Sequence, residues 1–260
     1  MKKYYYNKKN VTLFNGDSLV LLKNIDSNSV DLIFADPPYF LSSDGITCQS
    51  GKMVSVNKGD WDKIDTYKEI ETFNKLWLTE CQRILKDDGT IWVSGTHHNI
   101  YSVGNAMKTL GYKVLNVVTW EKPNPPPNLS CRYFTHSTEQ IIWSGKNDKS
   151  KHLFNYSLMR ESNGGKQMKD VWTMTSPSKH EKRYGKHRTQ KPEKLLERII
   201  LSSSNEGDVI LDPFQGSGTT GVISKRHKRK YIGIDADSQF LDISIKRIED
   251  ENNLFNSIDL

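Results

Sequence analysis

A carboxylate, two prolines and an aromatic residue follow a short apolar run near the start of this 260-residue chain. The run, 30–35 (VDLIFA), is typical of a strand buried on both faces of a parallel sheet. Pro37 and Pro38 have no N–H for a sheet ladder, so the strand must end at Asp36. Ligands of open α/β sheets bind at the carboxyl ends of the strands. Asp36, Pro37, Pro38 and Tyr39 are therefore the candidate catalytic residues, with a carboxylate and a rigid carbonyl as hydrogen-bond acceptors.

A second candidate site is a glycine-rich turn near the other end of the chain. Gly216, Gly218 and Gly221 fit the pattern G-x-G-x-x-G, between a predicted strand at 209–211 and a predicted helix. Asp235 ends the next predicted strand, 19 residues after the first glycine. Glycines let a ligand approach the backbone closely, and the acid can accept hydrogen bonds from ribose hydroxyls. The spacing predicts a nucleoside cofactor, and a tight turn without a ligand is the alternative.

Two kinds of cofactor suit this turn. A dinucleotide would rest its pyrophosphate on the N-terminus of the following helix. S-adenosylmethionine has no pyrophosphate and carries a sulfonium and an amino-acid tail. Asp212, at the end of the strand before the turn, could accept the cationic amino group of that tail. Asp212 therefore favours the methyl donor, while an NAD-dependent oxidoreductase stays open at this point.

The positive charge of the chain is concentrated in one segment. The formal net charge is +6, but residues 145–191 carry twelve Lys or Arg against four Asp or Glu, a net +8. The remainder is therefore net −2. Aromatic residues are interleaved with these charges, at Phe154, Tyr156, Trp172 and Tyr184. The segment predicts a nucleic-acid surface, with a solvated charged loop as the alternative.

The elements that must position these residues alternate between strands and helices. Ser18 is expected to cap a short helix, Pro192 to open another, and Asp88 and Gly89 to form a turn. The polar loop 41–66 follows the catalytic candidates, and loops of this length are usually functional or mobile. The predicted strands are 11–14, 30–35, 90–93, 113–120, 139–143, 209–211 and 231–234, and the longer predicted helices include 67–85, 100–110 and 238–249. This alternation predicts a doubly wound α/β fold.

Composition argues against several other classes of protein. No apolar run approaches a membrane span, and no apolar segment follows the basic N-terminus, so neither a membrane protein nor a signal peptide is expected. The three cysteines, at positions 48, 81 and 131, have neither metal-site nor redox spacing. We therefore expect Cys48, Cys81 and Cys131 to be reduced thiols in a cytoplasmic protein, and we expect no metal site. Three tryptophans are predicted to pack rather than to stack on a ligand: Trp61, Trp77 and Trp92.

Three motifs together resemble those of the amino-group DNA methyltransferases. They are Asp36-Pro37-Pro38-Tyr39, the run 188–192 (RTQKP) and the run 212–220 (DPFQGSGTT). Their order, with the catalytic tetrapeptide first and the cofactor turn last, is similar to that of the beta class. The resemblance implies a circularly permuted Rossmann-like fold that binds S-adenosylmethionine, with a mostly parallel sheet. It divides the chain into a catalytic part, 1–144, a basic target-recognition insertion, 145–187, and a cofactor-binding part, 188–260.

The resemblance also implies the cofactor site. Phe214 to Thr220 would hold the methionine portion, Asp235 the ribose, and Asp17 the adenine side, with Lys191 and Pro192 around the methionine tail. The strand before the glycine turn should lie beside the strands that lead to Asp17 and Asp36. The full set of implied cofactor-binding residues is Asp17, Asp36, Lys191, Pro192, Asp212, Phe214, Gln215, Gly216, Ser217, Gly218, Thr219, Thr220 and Asp235.

The activity that the resemblance implies is methylation of the N6 amino group of adenine in double-stranded DNA. Asp36 and the Pro37 carbonyl would hold the two N–H bonds of the amino group, and Tyr39 would stack on a base flipped out of the duplex. Asp at position 36 favours adenine, because cytosine-amino enzymes of this family usually have Ser there. The alternatives are a cytosine-N4 or RNA methyltransferase, an NAD-dependent oxidoreductase, and a DNA-binding module without catalysis.

Target selection is expected in the basic insertion. Arg188 departs from the pattern, because related enzymes often have Pro there. A restriction–modification role is expected, with a cognate endonuclease as a functional partner, and a homodimer is open. The predicted DNA-binding residues are Lys166, Lys169, Lys179, Lys182, Arg183, Lys186 and Arg188.

Overall fold

The computed structural model describes residues 4–39, 46–49, 52–55, 66–185 and 187–256. Within them, nine strands form one sheet and two more form a separate hairpin. The strands are β1 (Tyr6–Lys8), β2 (Val11–Asn15), β3 (Val30–Ala35), β4 (Ile46–Gln49), β5 (Lys52–Ser55), β6 (Leu85–Gly95), β7 (Lys113–Glu121), β8 (Thr138–Gly145), β9 (Val171–Thr173), β10 (Val209–Asp212) and β11 (Lys230–Asp235). The helices are α1 (Ser18–Leu21), α2 (Tyr67–Ile84), α3 (Ile100–Thr109), α4 (Tyr156–Ser162), α5 (Glu193–Ser203), α6 (Thr219–Arg226) and α7 (Ser238–Asn256).

The order of the strands shows how the two ends of the chain build one sheet. The order is β1-β2-β11-β10-β3-β6-β8-β7-β9. Five neighbouring strands, β2, β11, β10, β3 and β6, are parallel to one another. Strand β8 is antiparallel to both of its neighbours, β6 and β7. The C-terminal strands β10 and β11 thus lie between the N-terminal strands β2 and β3. The predicted permuted, mostly parallel arrangement is confirmed, but β11 separates β10 from β2, so the strand before the glycine turn adjoins the strand of Asp36 and not the strand of Asp17.

Each face of the sheet has its own apolar core. One core contains Trp77, Leu78 and Cys81 of α2 against Ile33 of β3, and the other contains Leu195 and its neighbours on α5. Because β3 contributes to both cores, its near-continuous apolar sequence is explained. Trp77 and Trp92 are buried, which confirms them as packing residues.

Several local predictions need correction. The side chain of Asp17, not of Ser18, caps α1 by accepting a hydrogen bond from the Leu19 N–H. The turn predicted at residues 88–89 is wrong, because these residues belong to β6, which starts directly after α2. Residues 86–89 instead form an irregularity in the pairing of β6 with β3. Pro192 is the N-cap of α5 rather than its first residue.

The basic segment 145–187 contributes to the main fold. Its strand β9 pairs with the outer strand β7, and Trp172 and Met174 belong to the core. Its helix α4 is tied to the end of α5, where the Asn155 N–H donates to the Ser202 carbonyl. The segment therefore includes an edge of the sheet, and its role in target selection stays a prediction.

Other predictions fall outside the described residues: those for Trp61, for Lys186 and for most of the loop 41–66. Among the helices that are described, none has the length and apolar character needed to cross a membrane.

Candidate active site

A cavity of about 760 Å³ opens at the carboxyl ends of the parallel strands. Asp36, after β3, lies on one side of it, and Asp235, at the end of β11, lies on the other. Its size is that of a site for a cofactor or drug-sized ligand. The cavity is lined by Asp17, Ser18, Asp36, Pro37, Pro38, Tyr39, Phe73, His187, Thr189, Pro213, Phe214, Gly216, Asp235, Ala236, Asp237, Ser238 and Phe240.

The Asp36 carboxylate is held by two partners. Lys191 Nζ donates to one oxygen at 2.5 Å, and the Tyr39 hydroxyl donates to the other at 2.5 Å. Lys191 Nζ also donates to the Tyr39 hydroxyl oxygen at 3.0 Å. The Pro38 carbonyl accepts from the Asn99 side-chain amide at 2.9 Å, which fixes the backbone after the carboxylate. Since a carboxylate has about four acceptor positions, Asp36 can still accept hydrogen bonds from a ligand in the cavity.

Glu139 completes this network, although it belongs to none of the motifs read from the sequence. It lies near the start of β8, and its carboxylate is 3.5 Å from Lys191 Nζ, 3.4 Å from the Tyr39 hydroxyl and 2.5 Å from Lys122 Nζ. Burial raises the pKa of Glu139, but the Lys191 and Lys122 ammonium groups outweigh burial and hold that pKa below its ordinary value. Burial lowers the pKa of Lys191, and the surrounding carboxylates raise it well above its ordinary range. The ammonium of Lys191 is therefore shared between two carboxylates.

The glycine turn meets the cavity at a single point. Gly216 has φ +49°, in the region that favours glycine, and its N–H donates to Asp235 at 2.8 Å. The other carboxylate oxygen of Asp235 accepts from the Asp237 N–H at 2.9 Å. Burial raises the pKa of Asp235 to about 6. The turn thus fixes an acidic side chain against the cavity wall.

The rest of the turn faces the interior of the protein. Ser217 and Thr219 are buried and contact Gln190 and the Lys191 carbonyl on one side and Arg247 on the other. A Cβ at Gly218 would lie 1.9 Å from the Ser244 hydroxyl, so this glycine permits close packing of the turn against α7. These contacts therefore anchor the N-terminus of α6 to residues 190–191 and to α7.

Comparison with known proteins gives the family. A family model described as DNA methylase (N6_N4_Mtase) matches residues 30–246. The chain belongs to this DNA methylase family. It is 58% identical over 253 residues to the Type II methyltransferase M2.DpnII of Streptococcus pneumoniae, covering 97% of this chain and 94% of the relative. It is 42% identical over 255 residues to the Type II methyltransferase M.HinfI of Haemophilus influenzae, covering 96% of this chain and 71% of the relative.

Solved structures have the same fold. The complex of M1.HpyAVI with SAM superposes with a TM-score of 0.66 at 24% identity, covering 92% of this chain and 99% of the other. The cytosine-N4-specific PvuII DNA methyltransferase gives a TM-score of 0.75 at 20% identity, covering 99% of this chain and 95% of the other. The predicted Rossmann-like fold of S-adenosylmethionine-dependent methyltransferases is confirmed, and the chain is a DNA methyltransferase.

The cofactor-binding residues predicted for this DNA methylase fall into two groups. Asp17, Asp36, Phe214, Gly216 and Asp235 line the cavity. The others lie behind the glycine turn, around a second cavity of about 20 Å³ or within the packing of α5, α6 and α7: Lys191, Pro192, Asp212, Gln215, Ser217, Gly218, Thr219 and Thr220. The first group lines the larger cavity, and contacts of the second group also support the turn, while cofactor binding by either group stays a prediction.

Asp212 and Gln215 show this supporting role. Asp212 is 2% exposed and accepts from the Phe214 N–H at 3.0 Å and from the Thr220 hydroxyl at 2.6 Å, and burial raises its pKa to about 7. Gln215 is buried beneath Gly233 and accepts from the Tyr231 hydroxyl at 3.0 Å. Both side chains line the smaller cavity rather than the larger one, and their predicted contact with the cofactor stays a prediction.

The predicted DNA-binding residues of this DNA methylase lie in different places. Lys166 and Lys169 precede β9, whose first residue, Val171, pairs with Thr119 near the C-terminal end of β7. Lys179 precedes a 3-10 turn near the start of α5 and Lys182 ends it, and Glu181 of this turn accepts from the Glu193 N–H. Arg183 forms an ion pair with Asp250 of α7 and lies over the Tyr184 ring, while Arg188 is exposed beside the cavity-lining residues 187 and 189. The role of these residues in DNA binding stays a prediction.

Proposed function

We propose that this DNA methyltransferase transfers the methyl group of S-adenosylmethionine to the N6 amino group of an adenine flipped out of DNA. The observation that carries the proposal is the Asp36 carboxylate, which is fixed at the end of β3 on the wall of a large cavity. The Type II methyltransferases that the chain resembles at 42–59% identity support a role in a restriction–modification system.

The cavity suits the proposed cofactor. Asp235 and Asp17 offer carboxylate acceptors for ribose hydroxyl and adenine amino groups, and the Phe214 ring offers an apolar surface. Phe214 is itself held edge-on against Trp77, with ring centroids 5.5 Å apart. S-adenosylmethionine, when bound, supplies an electrophilic methyl group on a positively charged sulfonium.

Asp36 and Pro37 hold the reacting amino group. The lone pair of the N6 nitrogen is delocalised into the adenine ring, which makes the nitrogen a weak nucleophile. Asp36 accepts one N–H and the Pro37 carbonyl accepts the other, and this favours a tetrahedral nitrogen aimed at the methyl carbon. Lys191 and Tyr39 are positioning residues, because they fix the Asp36 carboxylate and leave acceptor positions on it. Tyr39 is 6% exposed and lines the cavity, and in this proposal its ring stacks on the base.

Labelled methyl transfer from S-adenosylmethionine to mixed-sequence DNA tests the proposal, with nucleoside digestion and mass spectrometry to identify the product. Wild type is expected to yield N6-methyladenine, and Asp36→Ala none. Asp31→Asn, on the same strand at its other end, is the matched control and should keep activity. Methyl on cytosine N4 would reject the assignment of adenine, and transfer to RNA alone would reject DNA as the substrate.

Two further parts of the proposal concern partners and location. A restriction endonuclease of the same specificity is the functional partner, so DNA methylated by this protein should resist that nuclease. We infer that the protein acts in the cytoplasm, where its DNA substrate lies. A homodimer is tested by sedimentation of the purified chain with and without DNA, where one species of about twice the 29.9 kDa chain mass is expected.

A further inference from the structure

An exposed group of aromatic rings lies beside the active site and takes no part in the function proposed above. It consists of His97 and His98, after β6, and of Tyr133, Phe134 and His136, in the segment 122–137 between β7 and β8. We name these five residues the aromatic ridge. All five are exposed, and Phe134 keeps 95% of its surface accessible to solvent. An aromatic side chain held almost wholly in water loses the favourable free energy of burial, so a ligand that covers it would recover that free energy.

Four rings of the aromatic ridge contact one another in series, with the His97–His136 pair stacked and the other two pairs tilted by 37° and 40°. The ring centroids are 3.9 Å apart between His98 and His97, 4.6 Å between His97 and His136, and 5.3 Å between His136 and Tyr133. The middle pair is nearly parallel, with an angle of 20° between the ring planes. Burial and the neighbouring His136 lower the pKa of His97, so its ring is neutral at pH 7. Phe134 adjoins the Tyr133 end of the stack in sequence. Planar faces in series are the geometry on which nucleobases stack.

The backbone beneath Tyr133 and Phe134 is organised by one side chain. Asn128 accepts hydrogen bonds from the N–H and hydroxyl of Ser130, and its amide donates to the Tyr133 carbonyl at 2.5 Å. Cys131 adopts φ +53°, which turns the chain sharply between them. Three prolines, at 125–127, stiffen the approach to this turn. The exposed rings are therefore carried on a braced turn, so little conformational entropy is lost when a ligand covers them.

The aromatic ridge adjoins the catalytic residues along two neighbouring strands. β6 and β8 are paired, with Gly95 opposite Gln140. Ser94, whose hydroxyl is 3.4 Å from that of Tyr39, is three residues before His97. Glu139, whose carboxylate is 3.4 Å from the same hydroxyl, is three residues after His136. The stack thus begins where both strands leave the site that holds Asp36 and Tyr39.

The charge of the segment also suits DNA. Between Lys122 and Thr138 the sequence contains no Asp or Glu, and the exposed Arg132 directly precedes Tyr133. An aromatic surface next to a cation and free of carboxylates is complementary to a base with its phosphate.

We propose that the aromatic ridge is a base-stacking surface for the DNA strand next to the flipped-out target base. This inference rests on the proposed function. Flipping leaves neighbouring bases without a stacking partner at a cost of a few kcal/mol. Phe134 and Tyr133 cover the face of such a base and stabilise the opened DNA. The ridge therefore contributes to DNA binding and to base extrusion, but not to the binding of the cofactor.

The test compares Phe134→Ala, Tyr133→Ala and the double variant with Tyr4→Ala. Tyr4 is a half-exposed tyrosine just before β1, the edge strand at the far end of the sheet from β7 and β9, and it belongs to neither predicted site, so it is the matched control. Base–aromatic stacking predicts DNA binding weakened about 5- to 100-fold for each variant of the ridge. KM for S-adenosylmethionine and the urea midpoint should not change. A 2-aminopurine placed at the target position should brighten less on binding to the variants than to wild type.

A second measurement locates the contact. DNA with 5-iodouracil next to the target adenine is irradiated in complex with the wild-type protein, and the cross-linked peptide is identified by mass spectrometry. A cross-link to Tyr133 or Phe134 is expected. Wild-type DNA affinity and 2-aminopurine signal in the double variant would overturn the inference, even where wild-type methylation proves the proposed function right. Conversion of a wild-type dimer into a monomer by Phe134→Ala, with DNA binding per monomer unchanged, would assign the ridge to self-association instead.

Discussion

Replacement of Lys191 by Met removes the cation that two buried carboxylates share while it keeps nearly the same side-chain volume. The Lys191 side chain is 5% exposed, and those of Asp36 and Glu139 are 13% and 11% exposed. In the variant, Lys122 remains beside Glu139 at 2.5 Å. Asp36 keeps only the neutral hydroxyl of Tyr39 among these partners. The perturbation therefore leaves a desolvated carboxylate without its charged partner.

The expected cost is large compared with total stability. Removal of one member of a buried ion pair destabilises proteins by about 3–5 kcal/mol, because the remaining charge stays buried. A domain of ordinary stability has about 5–15 kcal/mol in total. Lys191→Met should therefore lower the free energy of unfolding by about 3–5 kcal/mol at pH 7.5, and methyl transfer should fall with it because Asp36 is no longer held in place.

The pH dependence has a definite sign. In wild type the pKa of Glu139 is depressed, so its contribution to stability is present above its unfolded pKa of about 4.3 and is lost only as the pH falls through the folded value. Lys191 has a raised pKa, so its charge persists throughout the range from pH 5 to 9. In Lys191→Met the carboxylates lose this cation and protonate more readily. The difference in stability between wild type and variant should therefore shrink as the pH falls from 7.5 to 5.

Urea denaturation at pH 5.0, 6.0 and 7.5 measures this difference. Glu139→Gln and the double variant complete a double-mutant cycle, in which the coupling free energy between positions 139 and 191 is expected to be at least about 1 kcal/mol. A Lys191→Met protein with wild-type stability at all three pH values, or a cycle with additive effects, would refute the shared-cation interpretation.

Three further predictions concern other parts of the molecule. Gly218→Ala should cost about 2–4 kcal/mol by urea denaturation, because its Cβ would lie 1.9 Å from a hydroxyl of α7, whereas Gly111→Ala, with a similar φ and open space around it, should cost only about 1 kcal/mol. As the pH rises from 4 to 8, Asp212→Asn should become more stable relative to wild type by up to about 4 kcal/mol, because the raised pKa of about 7 makes ionisation of the wild-type carboxyl costly in the folded state. The same difference in urea midpoint between variant and wild type at both pH values would contradict this. Joint replacement of Lys182 and Arg183 by Ala should weaken DNA binding and flatten its dependence on salt, measured by anisotropy at several ionic strengths, and an unchanged slope would remove both from the DNA surface.

The main features of the fold could be predicted from local sequence patterns. The run 30–35 is apolar at nearly every position because β3 faces a core on each side, and that pattern is visible without any structure. The two prolines after Asp36 fix the strand end, and a strand end in a parallel sheet fixes the ligand site. The register irregularity in β6 is different. Whether residues 86–89 form a turn or a bulge depends on their pairing with β3, which lies about 55 residues away in sequence.

The candidate site was only partly predictable, for a physical reason. Asp36, Gly216 and Asp235 belong to short motifs whose backbone conformation dictates their residue types. Glu139 belongs to no motif, and its importance comes from the antiparallel strand β8, which brings it to the carboxyl edge of the sheet. One signal was available in the sequence. Glu139 comes shortly before the apolar part of β8, after a connection from β7 that returns the chain to the carboxyl edge of the sheet.

The glycine turn shows why a motif and a binding site are different things. A G-x-G-x-x-G pattern is read as close approach of a ligand, but only Gly216 lies on the main cavity. At Gly218 the close neighbour is Ser244, and at Gly221 the neighbours are Tyr231 and Ile248, at 2.6 and 2.7 Å from the Cβ that any other residue would add. These two glycines are thus required by packing of α6 against α7 and β11. The motif sets the position of the helix, and that position places one glycine, with Asp235 hydrogen-bonded to it, on the wall of the cavity.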